Sequence, residues 1–324
     1  TKSAEAALKK LVELNPQESG FHNLLISFYI EQRRLDDAER ELRDLAAARP
    51  SDSEPTLNLV QFLYTIKKSA LAARQELNSR LDAGGDVFPY QMALADLDFA
   101  EGQPAEGRRL LEHLISTNGP PEHIRAAKTK LAQTYLGQNI SDKAEKLAGE
   151  VLGDDPHNVP ALKMRASLRL GRAQFDAAIS DLNDALTSQP RSTDLMLLLA
   201  TAYERSGLIE LADKQLADAT KTSNLDEKIG LDYAAFLQRR GSIGRAEDVL
   251  TRLSKRWENN TAILSALAMI RLARQDWSGA QEVAESIRRT GNGGGTIADQ
   301  ILGAALIGRN KYDDAITALQ SAYS

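Results

Sequence analysis

The side chains able to do acid–base, nucleophilic or metal chemistry are few and poorly spaced for it. The four histidines, His22, His113, His123 and His157, stand far apart. No two share the i, i+4 spacing that puts two imidazoles on one helix face, and none lies in an HExxH pattern. The chain has no cysteine, which removes disulfides, thiolate catalysis and Cys-based metal sites. Asp36–Asp37 and Asp313–Asp314 are adjacent carboxylates. Each pair opens a helical segment, where acidic side chains favour the positive helix terminus, so helix-start stabilisation is preferred to paired acid–base work. Gly291–Gly295, GNGGG, has the glycine content of a phosphate-cradling loop but lacks GKS or GKT and any preceding strand. It reads as a flexible link. No GxSxG, Walker or Rossmann pattern appears on a strand–turn–helix frame, and no segment reads convincingly as a strand. The residues predict no enzyme, no metal site and no cofactor.

One charge cluster stands out. Arg239, Arg240, Arg245, Arg252, Lys255 and Arg256 face only Glu247 and Asp248 nearby. Such a patch could meet an acidic partner or RNA. A solvated helix face is the preferred reading, because no aromatic stacking series accompanies it. The whole chain, with 40 basic and 45 acidic residues, carries a net charge of −5. That argues against a dedicated nucleic-acid protein, whose affinity comes from neutralising phosphates.

The elements that would hold these residues repeat. In Arg165–Pro190, Ala166 is followed by Phe175, Ala178, Leu182, Ala185 and Pro190, which reads as two short helices and a turn. Small residues then recur at Ala4, Ala38, Ala73, Gly107, Ala144, Ala178, Ala212, Ala246, Ala280 and Ala315, at gaps of 34, 35, 34, 37, 34, 34, 34, 34 and 35 residues. A fixed period of this size is the signature of a stacked repeat protein. The chain of 324 residues therefore needs no second core.

The period and its residues resemble the tetratricopeptide repeat family. The clearest copy is Met196–Ala219, with Leu199, Ala200, Tyr203, Gly207, Ala212, Leu216 and Ala219; another holds Leu302, Gly303, Tyr312, Ala315, Leu319 and Ala322. The resemblance implies an all-α, right-handed superhelical solenoid of stacked antiparallel helix pairs. The expected organisation is one array over 1–324: a half repeat at 1–17, repeats 1–3 at 20–116, an irregular loop at 117–124 and repeats 4–9 at 125–324. Thr117–Glu122, TNGPPE, is a breaker cluster and the candidate for a bend; a tolerated loop insertion is the preferred alternative. The opening half repeat and the last helix both read as cut from a longer array, whose bare apolar ends could drive homo-oligomerisation. No apolar run approaches the length of a membrane helix. The chain begins with Thr and shows no leader, so compartment rests on resemblance alone. The style is similar to long bacterial arrays of envelope and exopolysaccharide-secretion systems, which places a periplasmic or envelope location ahead of a cytoplasmic one.

What the resemblance implies for function is a non-catalytic scaffold that binds a protein or peptide in a concave groove lined by the first helix of each repeat. An accessory domain of an envelope or polymer-synthesis system is the alternative, and RNA or acidic-partner binding through the basic patch a third. Family offsets from the small residues place Asn23, Phe62, Met92, Phe99, Lys130, Gln133, Lys163, Ser167, Thr201, Arg205, Lys228, Asp232, Arg239 and Met269 in that groove, with Asp96, Met164 and Leu197 beside them. Through Lys130, Lys163, Arg205, Lys228 and Arg239 its middle is expected to be mildly basic. Two groove types of the family are not matched. The carboxylate clamp needs Lys, Asn, Asn, Lys and Arg where Lys163, Ser167, Leu198, Lys228 and Asp232 stand, and the asparagine-ladder offset holds Leu24, Leu59, Ala93, Lys130, Met164, Leu198, Asp232, Ala266 and Ile301.

Overall fold

The structure, a computed structural model, describes residues 2–291 and 295–322. Those residues form a leading helix and nine helix pairs, with no strand among them. The leading helix is α1 (Lys2–Leu14). The pairs are α2 (Ser19–Glu31) with α3 (Leu35–Ala48), α4 (Ser53–Thr65) with α5 (Ala70–Ala83), α6 (Phe88–Ala100) with α7 (Pro104–Ser116), and α8 (Pro121–Gly137) with α9 (Ser141–Asp154). They continue as α10 (Val159–Gly171) with α11 (Phe175–Ser188), α12 (Thr193–Ser206) with α13 (Ile209–Thr222), and α14 (Glu227–Arg239) with α15 (Ile243–Arg256). The last are α16 (Thr261–Ala273) with α17 (Trp277–Thr290) and α18 (Gly295–Gly308) with α19 (Tyr312–Ser321).

The chain divides into two compact units, Thr1–Val151 and Leu152–Ser324, with the division inside α9 rather than at Thr117–Glu122. Within each unit helices pack on their neighbours in sequence, as α2 does on α3 and α12 on α13. First helices also pack on the next first helix, as α4 does on α6 and α16 on α18. The segment 117–124 is irregular only as far as Pro120. α8 starts at Pro121 and runs 17 residues, against 13 in α2. The longer spacing of this repeat thus lengthens a helix, because Pro121 has a preset φ and no N–H to leave unpaired at the first helical position. Of the glycine-rich Gly291–Gly295, residues 292–294 lie outside the described residues.

The recurring small residues sit where the two helices of a pair press closest. Ala38, Ala73, Ala144, Ala178, Ala212, Ala246 and Ala280 are fully buried, and Gly107 is buried at the same position. Helix separation depends on the side chains at the contact, so the close approach admits only small ones. Ala4 keeps the phase but is exposed, since α1 packs on α2 alone.

The turns inside the pairs are equally regular. Five residues before each small residue stands one with left-handed backbone: Arg33, Lys68, Gly102, Asn139, Ala173, Gly207, Gly241, Gln275 and Asn310. The next N–H then usually reaches back five residues, as in Gln174 N to Arg169 O (2.9 Å) and Leu208 N to Tyr203 O (2.9 Å). This is the Schellman closure, which satisfies carbonyls orphaned at the helix end. Between pairs, first helices are started by side-chain caps instead: Asp52, Asn158, Ser192, Asp226 and Asn260 each accept from an N–H in the first turn. Asp36 and Asp37 lie in the first turn of α3, and Asp313 and Asp314 in that of α19. Asp36 is bound by Lys67, and Asp37 by Arg34 and Arg40.

Polar groups tie successive pairs in register. At five joints the residue after a small position meets the residue six before the next one: Glu39 with Lys67 (2.7 Å), Arg74 with Glu101 (2.5 Å), Arg108 with Gln138 (3.1 Å), Glu247 with Arg274, and Gln281 with Arg309 (3.2 Å). Buried acids add further ties. Asp181 accepts from Arg165 (2.7 Å) and Arg169 (2.6 Å) of the partner helix, and Asp98 accepts from Arg74 (2.7 Å). His22 is also buried. Its Nδ1 lies 2.5 Å from Glu41 Oε1 and its Nε2 3.0 Å from the Pro16 carbonyl. A buried charged or polar group is tolerated when it is paired in this way.

Candidate functional site

The first helices present a face that carries most of the sequence-derived candidates, and the two units treat them differently. In the first unit, Asn23 is exposed on α2 and Met92 half-buried on α6. Phe62 is not a surface residue: at 5% exposure it belongs to the core of this unit. An aromatic ring on the edge of that face gains more from burial against the neighbouring helices than from solvent. In the second unit Met164, at 3%, is likewise buried rather than on the surface.

Phe99, Lys130 and Gln133 are brought together. With Asp96, Thr134 and Gln138 they line a pocket of ≈ 580 Å³ between α6 and α8. Phe99 leans over α7 because residue 107 is glycine: a Cβ there would stand 2.9 Å from the Phe99 Cζ. Lys130 Nζ lies 2.6 Å from Asp96 Oδ1. Asp96 also lines a second pocket of ≈ 420 Å³ between α4 and α6, whose other walls include Leu57, Tyr64, Ala93 and Ala100. That pocket was not legible from offsets. Its space arises because Ala93 and Ala100 are small where Leu57 and Tyr64 face them. The signal was the Leu57, Gln61, Tyr64 series at i, i+4, i+7 on one side of α4.

In the second unit the candidates stay dispersed. Ser167 donates to Lys163 O (2.9 Å) and Thr201 to Leu197 O (2.9 Å), so both hydroxyls are spent on their own helices. Lys228 and Asp232 are exposed on α14, and Met269 is 58% exposed on α16. Arg205 stacks on Phe175 with its guanidinium carbon 5.2 Å from the ring centroid.

The expected basic middle is balanced at three of its five positions. Lys130 pairs with Asp96, Lys163 with Asp194 (3.2 Å) and Arg239 with Glu204 (3.2 Å). Each partner stands about one repeat away on the adjacent first helix, so the positive charge is offset at these three positions and remains at Arg205 and Lys228. The cluster at 239–256 is thinned likewise: Arg240 also binds Glu204 (3.1 Å), and Arg245 binds Asp213 (2.5 Å). No group of three His, Asp or Glu among the described residues could hold a metal ion. No described helix is long and apolar enough to cross a membrane.

Comparison with known proteins agrees with this architecture. Family models described as tetratricopeptide repeat match residues 1–61 and 163–223. A DnaJ homolog subfamily C member 7 homolog from Schizosaccharomyces pombe is 35% identical over 85 residues. That match covers 26% of this chain and 17% of the relative, so the chain spans only a small part of that protein. Among solved structures, the C-terminal part of a TPR repeat-containing protein from Cytophaga hutchinsonii superposes with a TM-score of 0.57 at 14% identity, covering 71% of this chain and 95% of that one. A tetratricopeptide repeat protein from Parabacteroides merdae gives 0.48 at 14% identity, over 74% and 93% of the two chains. With nine helix pairs in phase among the described residues, small residues buried at the crossings and two family matches, residues 1–61 and 163–223 are tetratricopeptide repeats, and the described helices share that all-α repeat fold.

Proposed function

We propose that the first-helix face of the first unit binds an extended peptide segment of a protein partner. The observation that carries this reading is the pair of adjoining pockets sharing Asp96. One is walled by Leu57, Tyr64 and Ala93 and suits an apolar side chain; the other offers the Phe99 ring edge, Lys130 and Gln133 and suits a polar one. Neighbouring helices lie about 8–10 Å apart, which an extended chain rising ~3.3 Å per residue crosses in about three residues. The ligand therefore places an apolar side chain and, some three residues on, a polar or acidic one. The Asp96–Lys130 pair stands at the border between the pockets. An acidic ligand group competes with Asp96 for Lys130, which sets direction and specificity more than raw affinity. The apolar pocket supplies the anchor.

The reading is tested by selecting displayed random heptapeptides on the full chain and measuring the enriched sequences by fluorescence anisotropy. Binding should weaken about tenfold or more in Ala93→Trp, which fills the apolar pocket, and in Lys130→Glu. It should persist in Lys163→Glu with Arg205→Glu, which alters the corresponding face of the second unit. Enriched peptides that bind all these variants alike would remove the site from this face.

A further inference from the structure

A third opening lies on the other set of helices. In the second unit, α13 and α15 flank a cavity of ≈ 550 Å³ floored by α14. Its base is apolar: Ala217, Leu225, Leu237 and Val249. One wall is a fixed polar triad. Tyr233 donates to Asp213 (2.8 Å), and Arg245 reaches both Asp213 (2.5 Å) and the Tyr233 oxygen (2.7 Å). The Arg245 guanidinium holds the Asp213 carboxyl below the usual carboxylate range. Burial, with Asp213 beside it, pushes the Tyr233 phenol up to about 12. That wall keeps one charge state across neutral pH.

The rim has charges to spare. Arg239, Arg240 and Arg245 are taken up by Glu204 and Asp213, and Glu247 is taken up by Arg271 and Arg274. Lys221 and Arg252 on the rim have no ion-pair partner among the described residues. Lys255 and Arg256 follow Arg252 at i+3 and i+4, so they extend the same face of α15. In the lining Lys221 and Arg252 stand with Asp218 and Asp248, so the positive surplus lies toward Lys255 and Arg256, beyond the cavity on α15. At the end of the cavity, Trp257 donates its indole N–H to the Leu225 carbonyl (2.9 Å) and remains 39% exposed beneath Arg256. An apolar floor, an exposed indole and a positive surplus describe one kind of occupant.

We propose that this second-helix cavity is a separate docking site for an acidic peptide segment of a protein partner, which seats an apolar side chain against Ala217 and Leu225 and sets flanking carboxylates against Lys221 and Arg252. The site is independent of the first-unit pockets. It lies on different helices, and its own Asp218 and Asp248 repel a ligand too acidic at its centre. Protein is favoured over nucleic acid because the cavity offers one apolar seat rather than a run of stacking aromatics.

The test uses the full chain and displayed random heptapeptides, with a 20-nucleotide oligouridine as the rival probe. Sequences in which Asp or Glu flanks an apolar residue should be enriched. Their affinity should fall about tenfold or more in Lys221→Glu with Arg252→Glu, two exposed positions whose change leaves the fold intact. It should fall similarly in Ala217→Phe, which fills the cavity, with the helical circular dichroism retained. It should be unchanged in Ala93→Trp, and binding should alter Trp257 emission. The proposal is overturned if no enriched sequence responds to the charge reversal, or if the enriched sequences lack acidic residues. It is also overturned if oligouridine loses affinity in the charge reversal but not in Ala217→Phe, which would assign these cations to RNA.

Discussion

The Phe99 ring occupies the space that a side chain at Gly107 would need: a Cβ there would come within 2.9 Å of the Phe99 Cζ and 3.0 Å of the Ala95 carbonyl oxygen. The glycine of this pair therefore sets the shape of a pocket that it does not line. Gly107→Ala should displace the ring into the space between α6 and α8. Overpacking costs roughly 1–3 kcal/mol, while replacing a helical glycine returns about 0.5–1 kcal/mol, so a net loss of about 1 kcal/mol is expected in urea unfolding. Peptide binding to the first unit should weaken with no surface charge altered.

The buried crossings should be intolerant of size, and the exposed one indifferent to it. Ala212→Leu forces a larger side chain between α12 and α13 and should cost about 1–3 kcal/mol. Ala4→Leu, at the same phase but in solvent, should change stability by no more than about 0.5 kcal/mol. Thermal unfolding of the two variants side by side checks the pair. Equal losses would mean that phase, rather than packing, had been read.

Left-handed turn positions occupied by residues with a Cβ store strain. Ala173 has φ +57° and no side-chain group to stabilise that conformation. Left-handed backbone costs an L-residue roughly 1–2 kcal/mol, partly offset by the extra unfolded-state freedom of glycine. Ala173→Gly should therefore stabilise the chain by about 0.5 kcal/mol, and Gly207→Ala, at φ +82°, should destabilise it by about 1 kcal/mol. Denaturant midpoints measured at constant slope decide both signs.

Glu5 fastens α1 to the pair that follows. Arg34 donates to its carboxylate (2.6 Å) and, with Lys9, lowers its pKa from 4.5 to about 2. A carboxyl whose folded pKa is depressed stabilises the folded form fully above its unfolded value, and that contribution disappears as pH falls toward the folded one. Amide exchange in α1 should thus accelerate between pH 4.5 and about 2, relative to α12. In Glu5→Gln the α1 amides should already exchange faster at neutral pH, with this pH dependence lost.

The architecture was legible because close helix packing leaves a mark in sequence. Only alanine or glycine fits at 38, 73, 107 and their successors, and a size restriction at a fixed period is visible without coordinates. The turns were not legible in the same way. Arg33, Lys68, Ala173 and Gln275 adopt left-handed backbone without the composition of a turn, because the closure is imposed by the two helices that must pack. The site was read in part. Offsets found Phe99, Lys130 and Gln133 but also picked Phe62, since an offset fixes direction around a helix and not the depth to which a large ring sinks. The apolar pocket beside Tyr64 depends on Ala93 and Ala100, one repeat away, and both cavities depend on such differences in size. The acid partners of Lys130, Lys163 and Arg239 escaped for a related reason: each stands about one period distant, where sequence shows two separate charges.

The polar contacts that run from a small position to the next turn do not all have one direction. Glu39 offers an acid to Lys67, whereas Arg74 offers a base to Glu101, and Gln281 offers a neutral amide to Arg309. The repeats are therefore written in a grammar of neighbours. Excising one period between Glu39 and Glu101 would bring two acids together where each now meets a base. Unequal recombination, the ordinary way such arrays gain and lose copies, would leave mismatched joints here, so the order of these repeats is itself heritable information.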